Sequence, residues 1–226
     1  MKYYIYISDA KVNMLLSQIP HEHKKRIATE FKIDLKLLSA SRKAEVEVND
    51  DRIAKLEVVC EFIRTYGNIG SVEESDEYIE DTLTMTWVVG GHDNGLVYFS
   101  GISGETILGL GGSSKHLIGV SEFDGSRRIE SLMSAAPLII SALRTMLGDK
   151  TGTLGQLEYL PRNVKDNPMA YVLSASAMMI ERPQCPKQRM EFLAKRLAEQ
   201  ELPSGRQFEC AARAILATPL YVALAE

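Results

Sequence analysis

Between Thr82 and Val120 the sequence runs in a two-residue period broken by glycine turns, and no other stretch constrains the fold as much. Leu83, Met85, Trp87 and Val89 alternate with Thr82, Thr84 and Thr86. Successive strand side chains point to opposite faces, so this spacing predicts a strand with one apolar face. Gly90-Gly91-His92-Asp93-Asn94-Gly95 then reads as a turn, because Asn-Gly tolerates the positive φ that tight hairpins demand. Leu96 to Ser100 is the return strand. Gly101 to Gly104 turns again, and Thr106 to Leu110 runs out. Gly111-Gly112-Ser113-Ser114 reads as a further turn, with His116 to Val120 as a last strand. The stretch predicts an antiparallel meander.

The flanks read as mixed elements. Residues 1–7 are aromatic and β-branched, which suits a strand. Ser8 and Asp9 can cap a helix with Val12, Leu15, Leu16 and Ile19 on its apolar face, and Pro20 opens a second, polar helix through Glu30. Phe31 to Leu38 alternates like a half-buried strand. Asn49 to Asp51 begin a helix carrying Ile53, Leu56, Cys60 and Ile63, and Gly67 ends it. Residues 68–81 read as a solvated acidic loop. Ser134, Pro137 and Gly148 bracket another helix, and residues 149–169 are turn-rich. Val172 to Ile180 and Ile215 to Ala223 are both apolar with small central residues, and read as buried strands. Lys187 to Gln200, with Met190, Leu193 and Leu197 at helical spacing, reads as a helix between them. The expected class is α+β: a central, mainly antiparallel sheet with helices packed on one side. The expected organisation is a single domain over residues 1–226, with a weak boundary near 149–169.

Bulk properties exclude several classes. The net charge is −4 and the isoelectric point about 5.7, without the basic excess that binds duplex nucleic acid. The three cysteines, Cys60, Cys185 and Cys210, are far apart, so neither a cysteine zinc site nor a disulfide framework is expected. That points to a reducing, cytoplasmic setting. No run of about 18 apolar residues exists to span a membrane. His21 and His23 diverge on a helix, and no metal site is expected. No motif identifies a cofactor.

The most unusual stretch is Leu108-Gly109-Leu110-Gly111-Gly112-Ser113-Ser114-Lys115-His116. Glycines let backbone amides converge on an anion, hydroxyls add donors, and a lysine neutralises charge. The expected ligand-binding residues are therefore Gly111, Gly112, Ser113, Ser114, Lys115 and His116. The stretch is neither a P-loop nor a dinucleotide fingerprint, because Lys115 follows a serine and Ser114 replaces the last glycine. A second candidate is Ser8-Asp9-Ala10-Lys11 at the end of the first strand, with Asp9 and Lys11 as ligand contacts. Catalysis by Ser113 or Ser114 with His116 and Asp9 is a further option, although no Gly-x-Ser-x-Gly elbow exists. Arg127-Arg128 reads as solvent-facing.

Tyr4-Ile5-Tyr6-Ile7-Ser8-Asp9-Ala10-Lys11-Val12-Asn13-Met14-Leu15 resembles the opening of a family of uncharacterised bacterial proteins. Trp87, Val97-Tyr98-Phe99-Ser100-Gly101, the Gly111 to Gly119 stretch and Thr218-Pro219-Leu220-Tyr221-Val222-Ala223 fit the same pattern. The resemblance covers nearly the whole chain and lends no activity; it implies one unit. Three functions are thus expected in order. The first is a ligand-binding or sensory regulatory protein recognising a small anion such as a nucleotide. The second is a hydrolase using His116 and Asp9. The third is a protein-interaction subunit of a bacterial regulatory or defence assembly, alone or as a homo-oligomer.

Overall fold

The computed structural model describes residues 2–31, 48–90, 95–119, 135–148, 169–181, 186–201 and 211–226. The chain runs β1 (Tyr3–Ile7), α1 (Asp9–Gln18), α2 (His21–Glu30), α3 (Val48–Tyr66), β2 (Ile69–Gly70) and β3 (Tyr78–Gly90). β4 (Leu96–Ser103), β5 (Thr106–Ser113) and a 3-10 turn (Ser114–His116) follow, then α4 (Ala136–Gly148), α5 (Met169–Glu181), β6 (Gln188–Glu201) and β7 (Arg213–Leu224). The protein is α+β, as expected.

The sheet closes on itself. β3 pairs with β4, and β4 with β5, both antiparallel. β5 runs parallel to β7, and β6 pairs antiparallel with both β7 and β3. The cycle is a five-stranded barrel. Its lining includes Met85, Phe99, Leu108, Phe192, Ile215 and Val222. Each such side chain contributes roughly 1.5–3 kcal/mol on burial. The described helices therefore all lie on one side of the sheet, the outside. α4 and α5 cover the outer face of β4 and β5, where Leu96, Tyr98 and Ile107 meet Ile139, Leu143 and Val172. α1, α2 and α3 cover the other wall, packing Val12, Ile27, Leu56 and Cys60 against Leu193, Leu220 and Tyr221. Five-stranded barrels of the OB class bind oligonucleotides over their second and third strands; here helices occupy that face.

Several local readings are corrected. Lys187 to Gln200 is not a helix but strand β6, hydrogen-bonded on both edges. Its Met190, Phe192 and Ala194 form a period-two stripe into the barrel. Helix-favouring Ala, Leu, Glu and Lys yielded to the two open edges of β3 and β7, an override that tertiary context supplies readily. Val172 to Ile180 is not a strand but lies in α5, so no β-α-β unit surrounds residues 187–200. An uninterrupted apolar run does not distinguish the two periods. Gly111, Gly112 and Ser113 are not a turn, because β5 continues through them against Tyr98, Val97 and Leu96. His116 and Leu117 do not start a strand; Leu117 makes a single bridge to Tyr6. The acidic segment is also shorter than expected, since β2 pairs with β3 at Tyr78 and Ile79. Phe31 closes α2 through its amide to Ile27 O. Lys32 to Leu38, Gly91 to Asn94, Val120, Arg127-Arg128, Ser134, residues 149–168, Cys185 and Cys210 lie outside the described residues. Among the described residues no helix is long and apolar enough to cross a membrane.

Candidate functional site at the β1–α1 junction

A gap in the sheet creates the site. One edge of β7 pairs with β5 only up to Ala217, and with β1 only from Tyr221 onward. Thr218, Pro219 and Leu220 lie between, so their polar groups need other partners. Thr218 Oγ1 donates to Gly111 O at 2.8 Å. Leu220 O accepts from the Ser8 amide at 2.8 Å. Pro219 O accepts from Lys11 Nζ at 3.1 Å.

Lys11 reaches inward because of how α1 begins. Ser8 occupies the N-cap, yet its hydroxyl makes no capping bond. It instead accepts from Lys11 Nζ at 3.2 Å. The first-turn amides of α1 keep their usual unmet donor capacity. Ser8 is fully buried and Lys11 is 7 % exposed. The ammonium also lies 5.9 Å from the centre of the Tyr6 ring. Among the described residues no carboxylate lies within ion-pair distance of it. Burial pulls the Lys11 amine down to about 7 from an ordinary 10.5, since low dielectric disfavours the charged form.

Tyr6 completes the buried cluster. It points into the barrel, fully covered, and among the described residues its hydroxyl has no hydrogen-bond partner. The Ser8 hydroxyl and the Ser113 backbone stand near it without closing a bond. Burial pushes its phenol well above the usual range. Gly112 makes room for it: a Cβ there would sit 2.3 Å from Tyr6 Oη.

Asp9, Arg52 and His116 form the outer layer. Arg52 Nε donates to Asp9 Oδ1 at 2.7 Å, and its Nη2 donates to Ile7 O at 2.6 Å and His116 O at 3.4 Å. This one guanidinium ties β1, α1, α3 and the 3-10 turn together. His116 Nδ1 lies 3.6 Å from Asp9 Oδ2, at ion-pair rather than hydrogen-bond range. The His116 ring stands edge-on to Tyr6, with centres 5.9 Å apart. Partial burial alone would raise the Asp9 carboxyl, but His116 and Arg52 outweigh it and hold it below its ordinary value.

The residues singled out by sequence thus divide. Asp9, Lys11 and His116 come together although more than a hundred positions separate the first and last. Gly111, Gly112 and Ser113 are buried inside the sheet behind them, so their amides form no open cradle. The Ser114 amide is bonded to Gly95 O, its side chain is half-buried, and Lys115 is exposed at the rim. Tyr6 and Arg52 were not legible. Arg52 follows an Asn-Asp-Asp helix start, where an arginine carries no signal for partners on β1. No group of His, Cys, Asp and Glu suited to a metal occurs among the described residues. A second polar network, Arg196, Glu199 and Arg213, clamps the Val72 to Ser75 segment to the opposite end of the barrel.

Residues 2–226 match the model of a family of unknown function, DUF7019. The chain belongs to this family. The match spans both the β1–α1 junction and the barrel, so the site's elements all lie within the family's unit. Comparison with curated proteins finds no match, and comparison with solved structures finds none either.

Proposed function

We propose that this protein binds a small anionic molecule, of the class that includes nucleotides, at the β1–α1 junction. The observation that carries the reading is Lys11, a buried amine whose oxygen partners, Ser8 Oγ and Pro219 O, are both neutral, so that its charged form lacks a counter-charge. Charged groups are rarely taken from water without a counter-charge. The nearest carboxylate in sequence, Asp9, is engaged by Arg52 and His116 instead. An anion entering here meets Lys11, the start of α1 and, at the rim, Lys115. Support for binding rests on these groups rather than on the glycines of β5. Calorimetric titration with inorganic phosphate, nucleoside monophosphates and dicarboxylates tests it. The expected result is saturable binding that weakens at least about tenfold in Lys11→Met, the loss of one charged partner. Absence of saturable binding at millimolar concentrations, or equal binding by Lys11→Met, refutes it.

The contact between His116 and Asp9 favours a second reading, a hydrolase in which Asp9 orients His116 as a base. That reading expects turnover of activated esters or phosphoesters that His116→Ala abolishes without lowering the melting temperature.

A further inference from the structure

The buried cluster also indicates which anion it suits, an inference that rests on the anion-binding reading above. We propose that Tyr6 Oη, Ser8 Oγ, Lys11 Nζ and the first turn of α1 together seat the terminal phosphoryl group of a phosphate monoester. The argument is a count of donors. Once protonated, Lys11 has three N–H donors, and the bonds to Ser8 Oγ and Pro219 O take two. Ser8 Oγ accepts from Lys11, and its hydroxyl stands beside the Tyr6 hydroxyl. Tyr6 contributes an O–H that has no partner among the described residues although it is fully buried. Leaving such a group unmet costs about 1–3 kcal/mol, so a protein that retains it has a use for the donor. α1 spans ten residues with Ser8 at its N-cap, so the positive end of its dipole lies at the residue that Lys11 Nζ contacts. A carboxylate has two oxygens to share among these donors. A phosphoryl group has three, arranged to face several directions at once, and carries the larger charge.

Asp9 sits at the start of the same helix and opposes an incoming anion, but Arg52 and His116 draw it outward. Asp9 is 44 % exposed, whereas Ser8 and Tyr6 expose nothing.

The test compares phenyl phosphate with benzoate, which share an aromatic body and differ in the head group. Both are titrated calorimetrically into the wild-type chain, Lys11→Met and Tyr6→Phe. The inference expects phenyl phosphate to bind at least about tenfold more tightly than benzoate. Tyr6→Phe should weaken phenyl phosphate about tenfold while leaving benzoate within about twofold. Tyr6→Phe keeps the ring and removes only the unmet oxygen, so its melting temperature should match or exceed wild type. Benzoate binding as tightly as phenyl phosphate, with both dependent on Lys11, overturns the phosphoryl assignment and leaves the anion-binding reading standing. Unchanged phenyl phosphate affinity in a folded Tyr6→Phe also overturns it. Binding of neither probe overturns both.

Discussion

Replacing Lys11 with Met isolates the energetic consequence of the buried ammonium. The side chain length is kept and the charge removed. A fall from 10.5 to about 7 is worth about 5 kcal/mol of lost stability when the group is charged in both states, at about 1.4 kcal/mol per factor of ten. The bonds to Ser8 Oγ and Pro219 O return about 1 kcal/mol each. Lys11→Met should therefore be more stable than wild type by about 3 kcal/mol at pH 6. The sign then follows from proton counting. Between about 7 and 10.5 the unfolded chain holds a proton that the folded chain has released. Wild-type stability accordingly rises with pH through that window, and the Lys11 contribution to this rise is missing in the variant. The gap between them should close to about zero near pH 9. Urea unfolding followed by circular dichroism at pH 6, 7, 8 and 9 reads it directly. Subtracting one protein from the other cancels every other titrating group. A gap that is the same at pH 6 and pH 9 refutes the reasoning, as does a variant less stable than wild type at pH 6.

Three further substitutions probe the frame around this cluster. Gly112→Ala places a Cβ 2.3 Å from Tyr6 Oη and should destabilise by about 1–3 kcal/mol; adding Tyr6→Phe should recover part of that loss, measured by the same urea curves. Arg52→Met removes the donor to Asp9, Ile7 O and His116 O, and should cost about 2–4 kcal/mol because charged hydrogen bonds are the stronger kind; a change under about 0.5 kcal/mol would contradict the clamp. Phe192→Ala should cost about 3–5 kcal/mol, since the ring lies in the barrel interior, whereas an exposed residue on a surface helix would scarcely register.

Legibility in the sequence followed how local each signal was. The period-two run at Thr82 to Val89 and the apolar stripe on α1 were readable because neighbours in sequence set them. Barrel closure was not, because it depends on β6 filling the space between β3 and β7. Residues 188–201 carry helix-favouring side chains, and only the unpaired edges on both sides make them a strand. The glycines at 109, 111 and 112 were conspicuous for a reason other than the expected turn. Their missing Cβ atoms make room for Tyr98, Ile139 and Tyr6. The site was half legible. Asp9 and Lys11 stood out at the end of a strand, and His116 stood out by type. That Pro219 and Leu220 would complete their surroundings follows only from where β5 and β1 stop along β7.

The central claim is that Lys11 is a buried base that an anion converts to a paired cation. Proton uptake on binding tests it most directly. Phenyl phosphate is titrated at pH 8 in two buffers of different ionisation enthalpy, a pH at which its second ionisation, near 6, is complete. With the Lys11 amine near 7, about nine chains in ten hold it neutral before binding. The account predicts uptake of about 0.9 proton per ligand at pH 8 and none in Lys11→Met. Binding with identical enthalpy in both buffers contradicts it.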